Sequence, residues 1–198
     1  MDDAPTEASG RSLECYGDYL KILTRMQLGP SLQAKVDASD IVQHALMMAH
    51  HHRDQFRGQS EGEWLGWLRT ILARTIAETA RRFGTAAREV SRERSLEVQL
   101  EESSARLAGV LAADHTSPSE RAARAEELLR LAGALARLPA DERQAIELHH
   151  LQNVPLAEIA KKLGRTRAAV AGLLFRGLKR LREQLRASSA GDATGDAP

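Results

Sequence analysis

The residues of this chain best placed to do chemistry are basic and lie near its C-terminus. Arg165, Arg167, Arg176, Lys179, Arg180 and Arg182 flank an apolar stripe, Val170, Leu174, Leu178, Leu181 and Leu185, whose spacings of four, four, three and four predict one long helix. Cationic side chains beside a helix N-terminus suit phosphate binding and entry into the major groove of duplex DNA. A second basic group, Arg69, Arg74, Arg81 and Arg82, follows Trp64 and Trp67. The other reactive residue types are not arranged for a reaction. His50, His51 and His52, with His44, cannot converge on one ion, because neighbouring helical residues point about 100° apart. His149-His150 meets the same obstacle, and there is no His-Glu-x-x-His. The single cysteine, Cys15, excludes an internal disulfide and is expected to be a buried apolar residue. No glycine-rich phosphate loop, Gly-x-Ser-x-Gly or paired carboxylates stand out. The expectation is a protein with no catalytic residue, no cofactor and no metal.

The 198 residues carry 28 Lys+Arg against 27 Asp+Glu, a net charge of +1, which looks uninformative. Position changes that impression. Residues 1–68 hold six basic and ten acidic side chains, a net of −4, and residues 69–94 hold seven arginines and three glutamates, a net of +4. Residues 95–160 follow with −5 and residues 161–198 with +6. Two basic blocks separated by acidic ones fit two anion-facing surfaces; solvated helix faces would give the same pattern. No apolar run of about 18 residues predicts a membrane span. The polar, acidic start from Met1 to Gly10 lacks the features of a signal peptide, so a cytoplasmic location is expected.

The positioning elements read as helices throughout. Strand alternation and hairpin turns are absent, and aromatics make up only 4% of the chain, which argues against an aromatic-rich β-sandwich. Leu13, Tyr16, Leu20 and Leu23 predict a first helix ending near Gly29-Pro30. Asp37-Ala-Ser-Asp40 supplies caps for a helix through Ile41, Ala45 and Met48 to about Phe56. After a loop, Trp64, Leu65, Leu68, Ile71, Leu72, Ile76 and Ala80 predict a long amphipathic helix to about Phe83. Residues 84–120 read as a linker with some helix. Leu128, Leu131 and Leu135 open a second helical domain, with another helix from Asp141 to Leu151. The fold class is therefore all-α, two small domains at about 10–83 and 121–186, with a flexible linker and a disordered tail at 187–198.

Within Pro155 to Leu185 the order of residues is that of a helix-turn-helix. Ala160 allows a close crossing, Gly164 the turn, and Val170 and Leu173 seat the second helix, with Thr166 as its N-cap. Arg167, Ala168, Ala171, Gly172 and Phe175 then lie on or near its outward side. Only Arg167 has the fork that reads guanine, while alanine and phenylalanine can touch thymine methyls.

Upstream, Asp37-Ala38-Ser39-Asp40-Ile41-Val42-Gln43, then Phe56-Arg57-Gly58, then Trp64-Leu65-Gly66-Trp67-Leu68-Arg69-Thr70-Ile71 precede this unit in fixed order. With these motifs the chain resembles a bacterial RNA polymerase sigma factor of the small extracytoplasmic-function type in the sigma-70 superfamily. The resemblance covers about residues 10–83 and 125–186, a region 2-like and a region 4-like domain. It implies that Asp37, Asp40, Ile41 and Gln43, with neighbours to Met47, dock on the clamp of core RNA polymerase. It further implies that Gln59, Ser60 and Glu61, in the loop running to Glu63, capture a base of the promoter minus-ten element. Trp64, Arg69, Arg74 and Arg81 would lie along that DNA, with Trp67 mainly packing. Arg165, Thr166, Arg167, Ala168, Ala171, Gly172, Arg176 and Lys179 would meet the minus-thirty-five duplex. The implied partners are core polymerase, promoter DNA and, as an option the family allows, an anti-sigma factor.

The chain departs from the common pattern at Arg74, where many members carry asparagine, and at Glu78, where many carry aspartate. Ala171, Gly172 and Leu173 stand in place of a common Lys-Ser-Arg. The acidic linker, with Glu97, Glu101, Glu102, Asp114 and Glu120, fits either an RNA-mimicking segment in the polymerase exit path or a solvated tether. The competing reading is a stand-alone helix-turn-helix regulator, which would leave the Phe-Arg-Gly loop and the Asp-Ile-Val-Gln helix without a role.

Overall fold

The computed structural model describes residues 12–83, 90–109 and 120–192. Every regular element among them is helical, as the sequence predicts. The chain divides into two compact units, Met1–Glu126 and Glu127–Pro198.

In the first unit a helical turn, Leu13–Tyr16, leads into α1 (Gly17–Gln27), the single turn α2 (Pro30–Gln33), α3 (Ala38–His51), α4 (Glu61–Arg82) and α5 (Val90–Gly109). Asp37 opens α3, its carboxylate accepting the Ser39 N–H at 2.7 Å. That bond holds the Asp37 carboxyl below its ordinary value. α3 stops at His51, short of the expected Phe56. The Arg53–Gln55 turn follows, and Phe56 is extended. The buried face of α4 carries Leu65, Leu68, Leu72 and Ile76 at helical spacing, and Tyr16, Leu20, Leu23, Ile41, Val42 and Ala45 complete the core. Cys15, expected inside, is exposed, because the turn that carries it directs Tyr16 inward instead.

The stretch read as linker contains a packed element. α5 lies against α1 and α4 and buries Leu96, Leu100 and Leu107. Ser103 and Ser104 are buried with them because each has a partner: Gln27 donates to Ser103 Oγ at 2.9 Å and the Tyr19 hydroxyl to Ser104 Oγ at 2.9 Å. The remainder of that stretch, 84–89 and 110–119, lies outside the described residues.

The second unit holds the rest of α6 (Glu120–Ala136), then α7 (Ala140–Ile146), a wide turn at Glu147–Leu151, α8 (Leu156–Leu163) and α9 (Arg167–Asp192). The helix expected over 141–151 thus widens in its last five residues. α9 packs on both α7 and α8. It also runs beyond 187 into the span expected to be disordered; no residue from Ala187 to Asp192 is a proline, and Ser188 Oγ bonds back to the Gln184 carbonyl at 2.7 Å. The last six residues, 193–198, lie outside the described ones.

Candidate nucleic-acid interface

In the first unit the residues expected on polymerase separate by face. Asp40, Gln43 and Met47 are exposed at spacings of three and four along α3, with Met47 50% exposed. Ile41 is a core residue instead, since its position falls on the stripe shared with Val42 and Ala45. Asp37 serves as the cap.

The segment from Phe56 to Glu63 is held in shape by two devices. The Phe56 ring folds onto α4, meeting Trp64 edge-on with centroids 4.8 Å apart and Trp67 at 5.7 Å. Gly58 crosses that ring so closely that a Cβ there would lie 2.4 Å from Phe56 Cζ and 2.9 Å from Glu63 Cβ, so only glycine fits. This contact gives Phe-Arg-Gly its physical meaning. The second device is a capping box: Ser60 Oγ accepts the Glu63 N–H at 3.2 Å, and Glu63 Oε2 accepts the backbone N–H groups of Gln59 at 2.8 Å and Ser60 at 2.9 Å. Ser60 and Glu63 therefore shape the loop. Glu61 ties it to the first turn, accepting the Tyr16 hydroxyl at 2.7 Å. Gln59 projects into solvent.

Those backbone N–H groups hold the Glu63 carboxyl below its ordinary value of 4.5. The sign follows: with the folded value depressed, the box contributes fully above the ordinary glutamate value and is lost as pH falls through the lowered one. The protection of the Gln59 and Ser60 amides from exchange, relative to their intrinsic rates, should persist into mildly acidic solution and be lost only below it. Glu63→Gln should remove that pH dependence.

Two residues expected on DNA turn inward. Trp64 is 0% exposed, so its ring supports the loop and presents no face to a base. Arg69 is mostly buried between α1 and α5, donating to the Tyr19 hydroxyl at 3.0 Å and pairing with Glu101. Burial raises the Tyr19 phenol above its ordinary 10.0, so it stays protonated and can both accept from Arg69 and donate to Ser104. Arg74 and Arg81 are exposed on α4, about two and four turns beyond the half-buried Trp67.

In the second unit, α8 ends on Gly164, whose φ of +61° is in the left-handed region. The Arg165 N–H reaches back to the Ala160 carbonyl at 2.9 Å and the Gly164 N–H to Lys161 at 3.3 Å, which closes the helix. Thr166 then caps α9, its Oγ1 accepting the Ala169 N–H at 3.1 Å. Val170, Leu173, Leu174 and Leu181 face inward, and Arg165, Thr166, Arg167, Ala168, Ala171, Phe175, Arg176 and Lys179 are exposed. Gly172 is half-buried between these faces.

This arrangement, a capped helix presenting a basic outward face after a tight glycine turn, coincides with a known family. Residues 128–181 match the family described as Sigma-70, region 4. The second unit is thus similar to region 4 of the sigma-70 family over residues 128–181. Its role is thereby one in transcription, as a sigma factor or DNA-binding protein. No curated protein and no solved structure matches the chain.

The basic residues of the region 4 domain are not equally available. Arg176 and Arg180 stand 3.5 and 3.3 Å from the carboxylate of Glu142 on α7, which is 5% exposed. Their charges offset that of Glu142, although its Oε2 has no aligned hydrogen bond. Arg165 pairs with Asp141 across the surface. Arg167 and Lys179 have no ion-pair partner among the described residues. Sequence reasoning missed Glu142 and Gly177. A Cβ at Gly177 would lie 2.8 Å from Ile146 Cδ1 and 3.2 Å from Glu142 Cβ, so this glycine sets the approach of α9 to α7. The signal was a second glycine inside an otherwise strong helix.

Among the described residues no helix is long and apolar enough to cross a membrane, and no group of three or more His, Cys, Asp or Glu side chains could hold a metal ion.

Proposed function

We propose that the chain is a two-domain sigma factor of the extracytoplasmic-function type, acting in the cytoplasm without catalytic activity of its own. It binds core RNA polymerase through the first unit and places the holoenzyme on promoters. The observation that carries the reading is the region 4 match on a unit whose recognition helix leaves Arg167 and Lys179 uncommitted. Support comes from the first unit, where the exposed row Asp40, Gln43 and Met47 offers a docking strip for the polymerase clamp. The loop braced by Phe56, Gly58 and the Ser60–Glu63 box projects Gln59 towards a single-stranded base. A preformed loop suits this task, since capturing an unstacked base then requires little further ordering. Of the basic side chains on α4, Arg74 and Arg81 hold the strand, and Arg69 holds the domain together.

Retention of the chain on immobilised core polymerase is the test. The wild-type chain should be retained, and promoter DNA should be bound tightly only when core polymerase is present. Replacing Asp40, Gln43 and Met47 together by alanine should weaken retention about tenfold or more while leaving the fold intact, because all three are exposed. A chain that binds duplex DNA equally well alone, and is not retained by core polymerase, would be a stand-alone regulator.

A further inference from the structure

The outward face of α9 is unusually apolar for a DNA reader. Between Arg167 at one end and Lys179 at the other lie Ala168, Ala171, Gly172 and Phe175, with the exposed Arg176 drawn aside to Glu142, and Phe175 is 72% exposed. The last is the most exposed large apolar residue among the described ones. It stands opposite the buried stripe of Val170, Leu173, Leu174 and Leu181, so no packing within the unit accounts for it. Gly172 points the same way. A Cβ there would meet only the guanidinium of Arg176, at 3.2 Å, the mobile end of a long side chain. Nothing inside the unit requires glycine at 172, in contrast to Gly177, although glycine weakens a helix interior. A helix with short side chains flanking one projecting ring lets its backbone come close to a partner while the ring reaches furthest.

Resting on the reading of the second unit as the reader of promoter duplex, the geometry points to Phe175, framed by Ala171 and Gly172, as a specificity-determining residue that reads thymine 5-methyl groups in the major groove. The thymine methyl is the apolar group that the major groove displays. Set against an aromatic ring, the amino group of cytosine would lose its water without gaining a hydrogen-bond acceptor. Arg167, one turn or more towards the N-terminus of the helix, supplies the guanine-reading fork, and Lys179 a phosphate contact. The predicted site therefore combines a guanine with one or two thymines further along the groove.

Deoxyuridine differs from thymidine by that methyl alone and so isolates the contact. The full chain bound to core polymerase is used to select duplexes from a random upstream library, and thymines of the selected site are replaced one at a time by deoxyuridine. At one or two positions the wild-type holoenzyme should bind the uracil duplex about fourfold more weakly, the effect of exposing one buried carbon group. Phe175→Ala should bind thymine and uracil duplexes equally, while Phe175→Leu should keep part of the difference. Lys179→Ala should weaken both duplexes alike. Phe175 is exposed, so these variants should fold as the wild type does, which unfolding curves would verify. Equal binding of thymine and uracil duplexes by the wild type, or a methyl effect unchanged in Phe175→Ala, overturns the inference while leaving the sigma-factor reading in place. A holoenzyme that selects no sequence at all overturns both.

Discussion

Trp64→Ala should destabilise the first unit by about 3–5 kcal/mol, the range for deleting a large aromatic from a packed core. Trp64 is 0% exposed and lies at the centre of an aromatic group, with Phe56 at 4.8 Å, Trp67 at 4.8 Å and Tyr16 at 6.3 Å between centroids. Small domains are stable by only about 5–15 kcal/mol, so the loss is a large share of the total. Because Phe56 packs on this ring, its removal would also release the loop that Gly58 crosses, and binding of core polymerase and of single-stranded DNA should fall together. Urea unfolding followed by helical circular dichroism is the measurement. Trp64→Phe should cost far less: the indole N–H has no partner in the described structure, so its loss leaves no acceptor unpaired. A Trp64→Ala protein of unchanged stability with weakened strand binding alone would make the ring a base-stacking group and reverse the assignment.

Gly177→Leu should destabilise the second unit by about 3 kcal/mol, at the upper end for overpacking a well-filled core. The new Cβ alone would press on Ile146 Cδ1 at 2.8 Å and on Glu142 Cβ at 3.2 Å, and Ile146 has no exposed surface into which to retreat. Displacing Glu142 also unseats the carboxylate that Arg176 and Arg180 share. Duplex binding should therefore fall along with stability, even though residue 177 faces the interior of the unit. Gly172→Ala makes the contrast. Only a flexible guanidinium lies near, so stability should rise by up to about 1 kcal/mol from helix propensity, and any loss of duplex binding would come from the outward face. Thermal unfolding and duplex titration on the same two variants separate the roles of the two glycines.

Much of this was legible in the chain. Apolar spacing placed α1, α3, α4 and the helix-turn-helix, and both local devices of the latter, Gly164 and Thr166, were readable because their requirements are local: a left-handed backbone and an acceptor for free N–H groups. What escaped depended on contacts distant in sequence. α5 has leucines only at 96, 100 and 107 among serines and glutamates, a pattern that hydropathy scores as tether. Its serines are buried only because Tyr19 and Gln27 meet them. Arg69 looked like a phosphate contact because its inward partners, Tyr19 and Glu101, lie 50 and 32 residues away. Trp64 and Trp67 share one helix three residues apart, and nothing local indicates that Phe56 closes over the first. Glu142 reads as an ordinary acid of a helix start until two arginines of another helix are brought beside it.

The placement of Arg69 has a practical corollary for dividing the molecule. A fragment ending at Phe83, the boundary suggested by motif matching, would carry away Glu101, Ser103 and Ser104. It would leave an arginine, a phenol and an amide on α1 and α4 without the partners that α5 supplies, above a strip that Leu96, Leu100 and Leu107 normally cover. Such a piece would be sticky and partly unpaired, and its behaviour would say little about the parent protein. The smallest faithful version of the first unit extends at least through Gly109.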